Sequence, residues 1–344
     1  MGVSANLKST DVALPQLPAG WQLVTVSVLA NGNLGLLATN IDLAYEWRRD
    51  KKGRVIGKPH HVAARAEARL WCFDGAGLME GPSFLLETPF PEIDRFDDGR
   101  WLVVASRTTG KPNARILTPD GQVLARFMLG DGIEHVGVDQ RDQIWVGWFD
   151  EGIFGNDDWR VPGEKWPPSS RGVGLFSADG NYQELSTLPD KVRDIADCYA
   201  LNILGRGGAW VCPYTDFLLL HFKPGCWVRW WSNELAGPTA LAVFDGHALL
   251  AGGYGADADR LALVTLYGKG NGNAAKILAL WRLPLAPRAP QQGEHPDVQA
   301  GHLWQQPTLL TGRGDTIHLI QDTMWHRWWV SDALVATNSA ANQL

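Results

Sequence analysis

Short apolar runs recur along this chain, and each follows a polar turn. NGNLGLLAT around Gly32, DDGRWLVVAS around Gly99, QRDQIWVGWF around Asp142, RGGAWVCPY around Gly207, FDGHALLAGG around Gly246 and GRGDTIHLI around Gly314 share this layout. Gly and Asp accept the tight backbone of a hairpin turn, and the run behind each turn has the length and character of a strand. The turns lie on average about 56 residues apart, a period typical of propellers and solenoids. A second series interleaves with the first: Asp74-Gly75, Asp120-Gly121, Asp179-Gly180, Pro224-Gly225 and the run from Gly268 to Gly272. Two hairpins per repeat make four strands per repeat. The pattern therefore predicts an all-β fold, a six-bladed β-propeller with four-stranded antiparallel blades.

Eleven of the twelve expected hairpins are visible, because the sixth repeat lacks a second turn. An open ring would leave sheet edges unpaired. Residues 1–20 are accordingly expected to form an N-terminal arm that closes the ring on the sixth blade, and residues 21–344 a single propeller domain.

The distances between turns show where extra length falls. Repeats one and three carry additional residues between their second and third strands, and another insertion precedes the first strand of repeat six. In an up-and-down blade all three open on one face. Long loops on a rigid scaffold commonly hold binding and catalytic groups, so this loop-rich face is the functional candidate.

Composition supports these elements: 45% apolar residues supply a core, and 38 Gly with 20 Pro suit a turn-rich β protein. The opening MGVSANLKST is polar, and no apolar run reaches the ~18 residues of a membrane span, so the expectation is a cytoplasmic protein without a membrane partner. A net charge of -6 argues against general nucleic-acid binding. The first insertion runs against that trend. Between Leu43 and Ala66 seven cations face two anions, with His60 and His61 beside them, and Arg48, Arg49, Lys51 and Lys52 are its candidate anion-binding residues. A solvated surface loop has the same composition.

Cys72, Cys198, Cys212 and Cys226 form no C-x-x-C pair, so neither a zinc knuckle nor a disulfide framework is indicated. Cys72, Cys212 and Cys226 sit in apolar contexts that suit buried small hydrophobes. Cys198, in DIADCYALN, is the one candidate for a reactive thiol.

The second insertion begins at the end of a strand, in WVGWFDEGIFGNDDW. It places Asp150, Glu151, Asn156, Asp157 and Asp158 among Trp148, Phe149, Phe154 and Trp159. Such oxygens suit Ca²⁺ or Mg²⁺, although the spacing is not that of an EF-hand, and the aromatics suit a planar ligand or simple loop packing. The first strand of each blade should line the central channel. Glu92 and Asp94, Glu134 and His135, Asp194, Asp197, Tyr199 and Asn202, and Gln305 and Gln306 stand at those starts, while Arg107, Asp150, Tyr214, Asp216 and Asp322 stand at the ends of second strands. Carboxylates around one His can bind a metal, run acid-base chemistry or line a hydrated channel. The ligand site is expected over blades three and four, from Glu134, His135, Trp148, Phe149, Asp150, Glu151, Asp197, Tyr199, Tyr214 and Asp216. Arg313-Gly314-Asp315 occupies a tight turn and is set aside. Most of the seventeen Trp should fill the space between blades.

The repeat pattern resembles six-bladed propellers of the type that includes NHL-repeat and gluconolactonase-like proteins. More narrowly, IWVGWFDEGIFGN, DCYALNI and YTDF are similar to strings in uncharacterised bacterial propellers. The broader resemblance implies a divalent metal in the channel, held through one Glu, Asn side chains and an Asp, for which Glu92 or Glu134, Asn202 and Asp216 are the matching residue types here. The Glu-Gly-Pro entry motif of those enzymes is lacking at the starts of the channel strands. Two functions fit the chain: a non-enzymatic propeller that binds a small molecule or protein segment over the channel, and a divalent-metal-dependent hydrolase or lactonase that uses the channel carboxylates.

Overall fold

The computed structural model describes residues 7–41, 45–49, 55–59, 66–87, 90–159, 161–163, 165–185, 188–192, 194–224, 226, 228–268, 271–285 and 309–341. Strand β1 (Thr10–Ala13) comes first. It precedes β2 (Gln22–Val28) and β3 (Leu34–Thr39), the inserted hairpin β4 (Tyr45–Arg49) and β5 (Val55–Pro59), and then β6 (Ala66–Phe73) and β7 (Leu78–Leu86). The next meander is β8 (Pro91–Arg95), β9 (Trp101–Ala105), β10 (Ala114–Leu117) and β11 (Val123–Phe127). In the third, β12 (Ile133–Val138) and β13 (Gln143–Trp148) are separated from β14 (Val173–Ser177) and β15 (Tyr182–Gln183) by helix α1 (Asp150–Gly155) and a 3-10 turn at Pro168–Arg171. There follow β16 (Asp197–Ile203), β17 (Ala209–Tyr214), β18 (Leu219–Phe222) and β19 (Arg229–Ser232), then β20 (Ala240–Phe244), β21 (His247–Ala251), β22 (Arg260–Leu266) and β23 (Asn273–Arg282). The chain ends its strands with β24 (Leu309–Arg313), β25 (Thr316–Gln321) and β26 (Met324–Trp329), and helix α2 (Val330–Ala341) follows directly.

The fold is an all-β propeller. Four sheets have four strands each, and an eight-stranded sheet joins two antiparallel meanders through a two-residue parallel contact between β19 and β23. The innermost strands β2, β8, β12, β16, β20 and β24 pack each against the next, and β24 returns to β2. All six first-series turns hold their central residue at positive φ: Gly32, Gly99, Asp142, Gly207, Gly246 and Gly314 lie between 59° and 91°. This is where the left-handed region selects Gly or Asp.

The missing twelfth turn has a topological cause. β26 runs into α2 instead of a hairpin, and the fourth strand of that sheet is β1, paired antiparallel from Thr10–Arg327 to Ala13–Met324. His326 Nδ1 lies 2.8 Å from the Asp11 carboxylate across the same pair.

Between sheets the core is aromatic. Trp71, Trp101, Trp145, Trp148 and Trp325 are fully buried. Cys72, Cys198 and Cys212 are buried, whereas Cys226 is exposed, contrary to its apolar sequence context, because its segment turns out of the sheet between β18 and β19.

Candidate functional site: the channel and its loop-rich mouth

The inner strands enclose a cavity of about 1920 Å³. Phe90, Glu92, Glu134, His135 and Tyr199 line it where those strands begin, and Gly312 and Arg313 line it where β24 ends. Strand starts face the loop-rich side, so Glu92 on β8, Glu134 and His135 on β12 and Tyr199 on β16 gather near that mouth.

Its carboxylates are electrostatically coupled. Glu92 is held by the Ser106 hydroxyl, yet burial, and secondly the neighbouring Glu134 charge, raise its pKa to about 8. Asp197 is pushed up to about 6 by burial and then by Glu134 and Asp150. Burial is the larger cause of both shifts, and like charges near one another in a half-dry cleft, which resist simultaneous ionisation, add to it. Glu134 stands between the two and is itself exposed. His135 places Nε2 3.2 Å from the Tyr199 carbonyl oxygen, which orients the ring as a donor to the backbone.

Aromatic rings sit beside these acids. Tyr199 stacks on Tyr214 at 5.6 Å between centroids, meets Phe217 at 5.7 Å and meets Tyr254 edge-on at 6.2 Å. The Tyr254 hydroxyl donates to the Tyr199 hydroxyl at 2.9 Å. Burial, followed by that bond, pushes the Tyr199 phenol upward, so it stays protonated at neutral pH. Tyr214 and Tyr254 are 40% and 51% exposed, which leaves ring surface available on the loop-rich face. Sequence reading missed Tyr254. Its position at the end of HALLAGGY, matching Tyr214 at the end of AWVCPY, was the available signal.

At the far end of the channel the inner strands are tied to one another by side chains that sequence reading set aside or assigned elsewhere. Arg313 reaches Asp94 on β8 at 3.1 Å and donates to the Val138 carbonyl of β12. Asp94 is 1% exposed, and its oxygens also accept from the amides of Ala30, Arg95 and Val138. Asn202 and Gly314 exchange two hydrogen bonds of 2.7 Å between β16 and the β24–β25 turn. A Cβ on Gly137 would fall 2.7 Å from Arg313 Nη1 and 2.9 Å from Asp94 Oδ2, so glycine makes room for the tie.

Several expected ligand residues have other roles. Trp148 is 0% exposed, donates to the Leu129 carbonyl at 2.9 Å and packs against Trp159 and Phe176; it is core and cannot reach a channel ligand. Glu151 is paired with Arg107 at 2.8 Å, and Arg107 also binds Asp131 at 3.0 Å and lies over Phe149. Phe149 lines the cavity, while the exposed Asp150 carboxylate accepts from the Glu151 amide. Asp216 is an exposed turn residue after β17 and does not line the cavity. The quartet Glu92, Glu134, Asn202 and Asp216 therefore does not converge: Asn202 is fully buried in its bonds to Gly314, at the opposite end of its strand from the mouth. Among the described residues no three His, Cys, Asp or Glu side chains come together as a metal site. Cys198 is buried, with its thiol pKa driven far upward by burial, which makes it inert rather than reactive. Arg48 and Arg49 lie on β4; Lys51, Lys52, Gln305 and Gln306 fall outside the described residues. Among the described residues no helix is long and apolar enough to cross a membrane.

No family model and no curated protein matches the chain. Solved structures similar to it include virginiamycin B lyase from Staphylococcus aureus, at TM-score 0.47 and 11% identity over 93% of this chain and 98% of that one. Others are a putative gluconolactonase, at TM-score 0.41 and 13% identity over 93% and 92%, and YCF48 bound to D1 peptide, at TM-score 0.43 and 11% identity over 95% and 98%.

Proposed function

We propose that the protein is a six-bladed propeller that binds a small molecule or protein segment in its channel from the loop-rich face, without chemistry. The observation that carries this reading is the cavity of about 1920 Å³, tied across at one end by Arg313 and Asn202 and lined at the other by polar and aromatic side chains. The six-blade count counts the eight-stranded sheet as two blades, with residues 21–344 as the domain and β1 from the preceding arm as its closing strand. The buried thiols fit a reducing, cytoplasmic setting.

One observation favours a second reading. Glu92, protonated up to about pH 8, stands within electrostatic reach of Glu134, and a carboxyl held protonated near neutral pH is the kind of group that serves as a general acid in hydrolysis. A lactone panel distinguishes the two: turnover that disappears in Glu92→Gln favours the enzyme.

The binding reading is tested by screening small metabolites and peptides for thermal stabilisation of the wild-type chain and of Thr311→Trp and Val136→Trp. These substitutions add bulk to the cavity from β24 and from β12. Ligands should lose binding in whichever variant keeps the wild-type circular dichroism. Hits that bind both folded variants undiminished would place the site elsewhere.

A further inference from the structure

The ligand's chemical class follows from how the charges lining the channel are already used. Arg313 is committed to Asp94, and Arg107 to Asp131 and Glu151. Asp259, the lining carboxylate on the β22 side, is bound by Arg282. Among the described residues Glu134 and Asp197 have no ion-pair partner, and Glu92 has a hydroxyl for its neighbour. The open volume is thus bordered by uncompensated acid at the mouth, whereas its arginines are neutralised. The wall next to Asp197 is aromatic, with Tyr199 lining the cavity and Tyr214 and Tyr254 exposing ring surface beside it. Aromatic faces and carboxylates share one class of partner. A ring quadrupole attracts a cation over its face and a carboxylate attracts it by its charge, so an apolar stem with a positive end satisfies both at once.

We propose that the channel mouth takes an organic cation, an ammonium or guanidinium group held toward Glu92, Glu134 and Asp197 with its apolar stem against Tyr199 and Tyr254. This rests on the binding reading above and adds the sign and shape of the ligand. Arrival of the positive group offsets the repulsion that Glu134 exerts on Glu92 and Asp197 and favours the ionised form of both. Two sources supply such a group, a free amine and the Lys or Arg side chain of a protein segment, and the cavity is large enough for either.

Isothermal titration of the full-length chain tests the inference with four probes: tryptamine, the neutral N-acetyltryptamine, the anion indole-3-propionate, and a blocked pentapeptide carrying one Lys among glycines. Tryptamine should bind at least tenfold more tightly than N-acetyltryptamine, with indole-3-propionate weakest. The double variant Glu134→Gln/Asp197→Asn, which keeps side-chain shape, should abolish the preference for the cation, and Tyr254→Ala should weaken tryptamine while leaving the order of probes intact. Preference for tryptamine over the peptide identifies a free amine, and the reverse a protein segment. If no cationic probe binds, or the neutral or anionic one binds as well, the inference is overturned. The binding reading fails separately, when ligands of any charge survive filling of the channel by Thr311→Trp or Val136→Trp.

Discussion

Replacing Glu92 with Gln should reshape how stability depends on pH. The carboxyl titrates near 4.5 in an unfolded chain and at about 8 in the folded one, because folding buries it and brings it near Glu134. Between those values the folded state holds a proton that the unfolded state has released. Stability from this group is therefore fully present below about pH 4.5, falls as pH rises through the window, and is lost above about pH 8. At 1.36 kcal/mol per pH unit the whole window is worth roughly 5 kcal/mol. Glu92 borders water in the channel, and screening there reduces the effect to about 2 kcal/mol. Gln keeps the shape and the Ser106 contact but does not ionise. Urea unfolding of both proteins at pH 5, 6.5 and 8.5 reads this group together with its coupling to Glu134, since the titrations of groups not coupled to it cancel in the difference. The variant should match the wild type at pH 5 and exceed it by about 2 kcal/mol at pH 8.5. A difference that stays constant across the three pH values would refute the reasoning.

Three further outcomes are expected. Arg313→Met leaves Asp94 buried with backbone donors alone and should cost about 3–5 kcal/mol in urea unfolding, part of which Asp94→Asn in the same chain restores. Removal of residues 1–13 uncovers the edge of β26, so light scattering should show concentration-dependent association and melting should occur at lower temperature. Asp197→Asn should follow the Glu92 pattern in a lower window, raising stability above about pH 6 relative to the wild type with little change at pH 3.5, as read by the same unfolding series.

Much of the architecture was legible because it is written in local chemistry. Hairpin turns demand positive φ, and the residues that supply it, from Gly32 to Gly314, recur at a fixed interval. The absence of one turn carried information too, since the strand that replaces it comes from the opposite end of the chain. The site was legible in residue type and at the level of strand ends: Glu92, Glu134, His135 and Tyr199 line the cavity together. Depth and facing were not legible. Glu92 and Asp94 are two residues apart on β8, yet one lies near the mouth and the other is locked to Arg313, 219 positions later in the chain. Trp148 and Phe149 are adjacent aromatics at a strand end, and only the packing of Trp159 and Phe176 sends the first inward. Asn202 has the residue type of a metal donor, but its amide is consumed by the backbone of Gly314. Helix α2 carries no turn signal and was not foreseen. Val330 and Ala333 bury its inner side against the propeller.

The central claim is that ligand enters the channel from the loop-rich face, and hydrogen exchange measured by mass spectrometry with and without saturating tryptamine tests it most directly. Exchange should slow in the segments that begin β8, β12 and β16 and in the connection from Gly252 to Asp259, with the outer strands β7, β11 and β15 unchanged. Protection confined to those outer strands or to the tight turns around Gly99, Gly207 and Gly246 would contradict the claim.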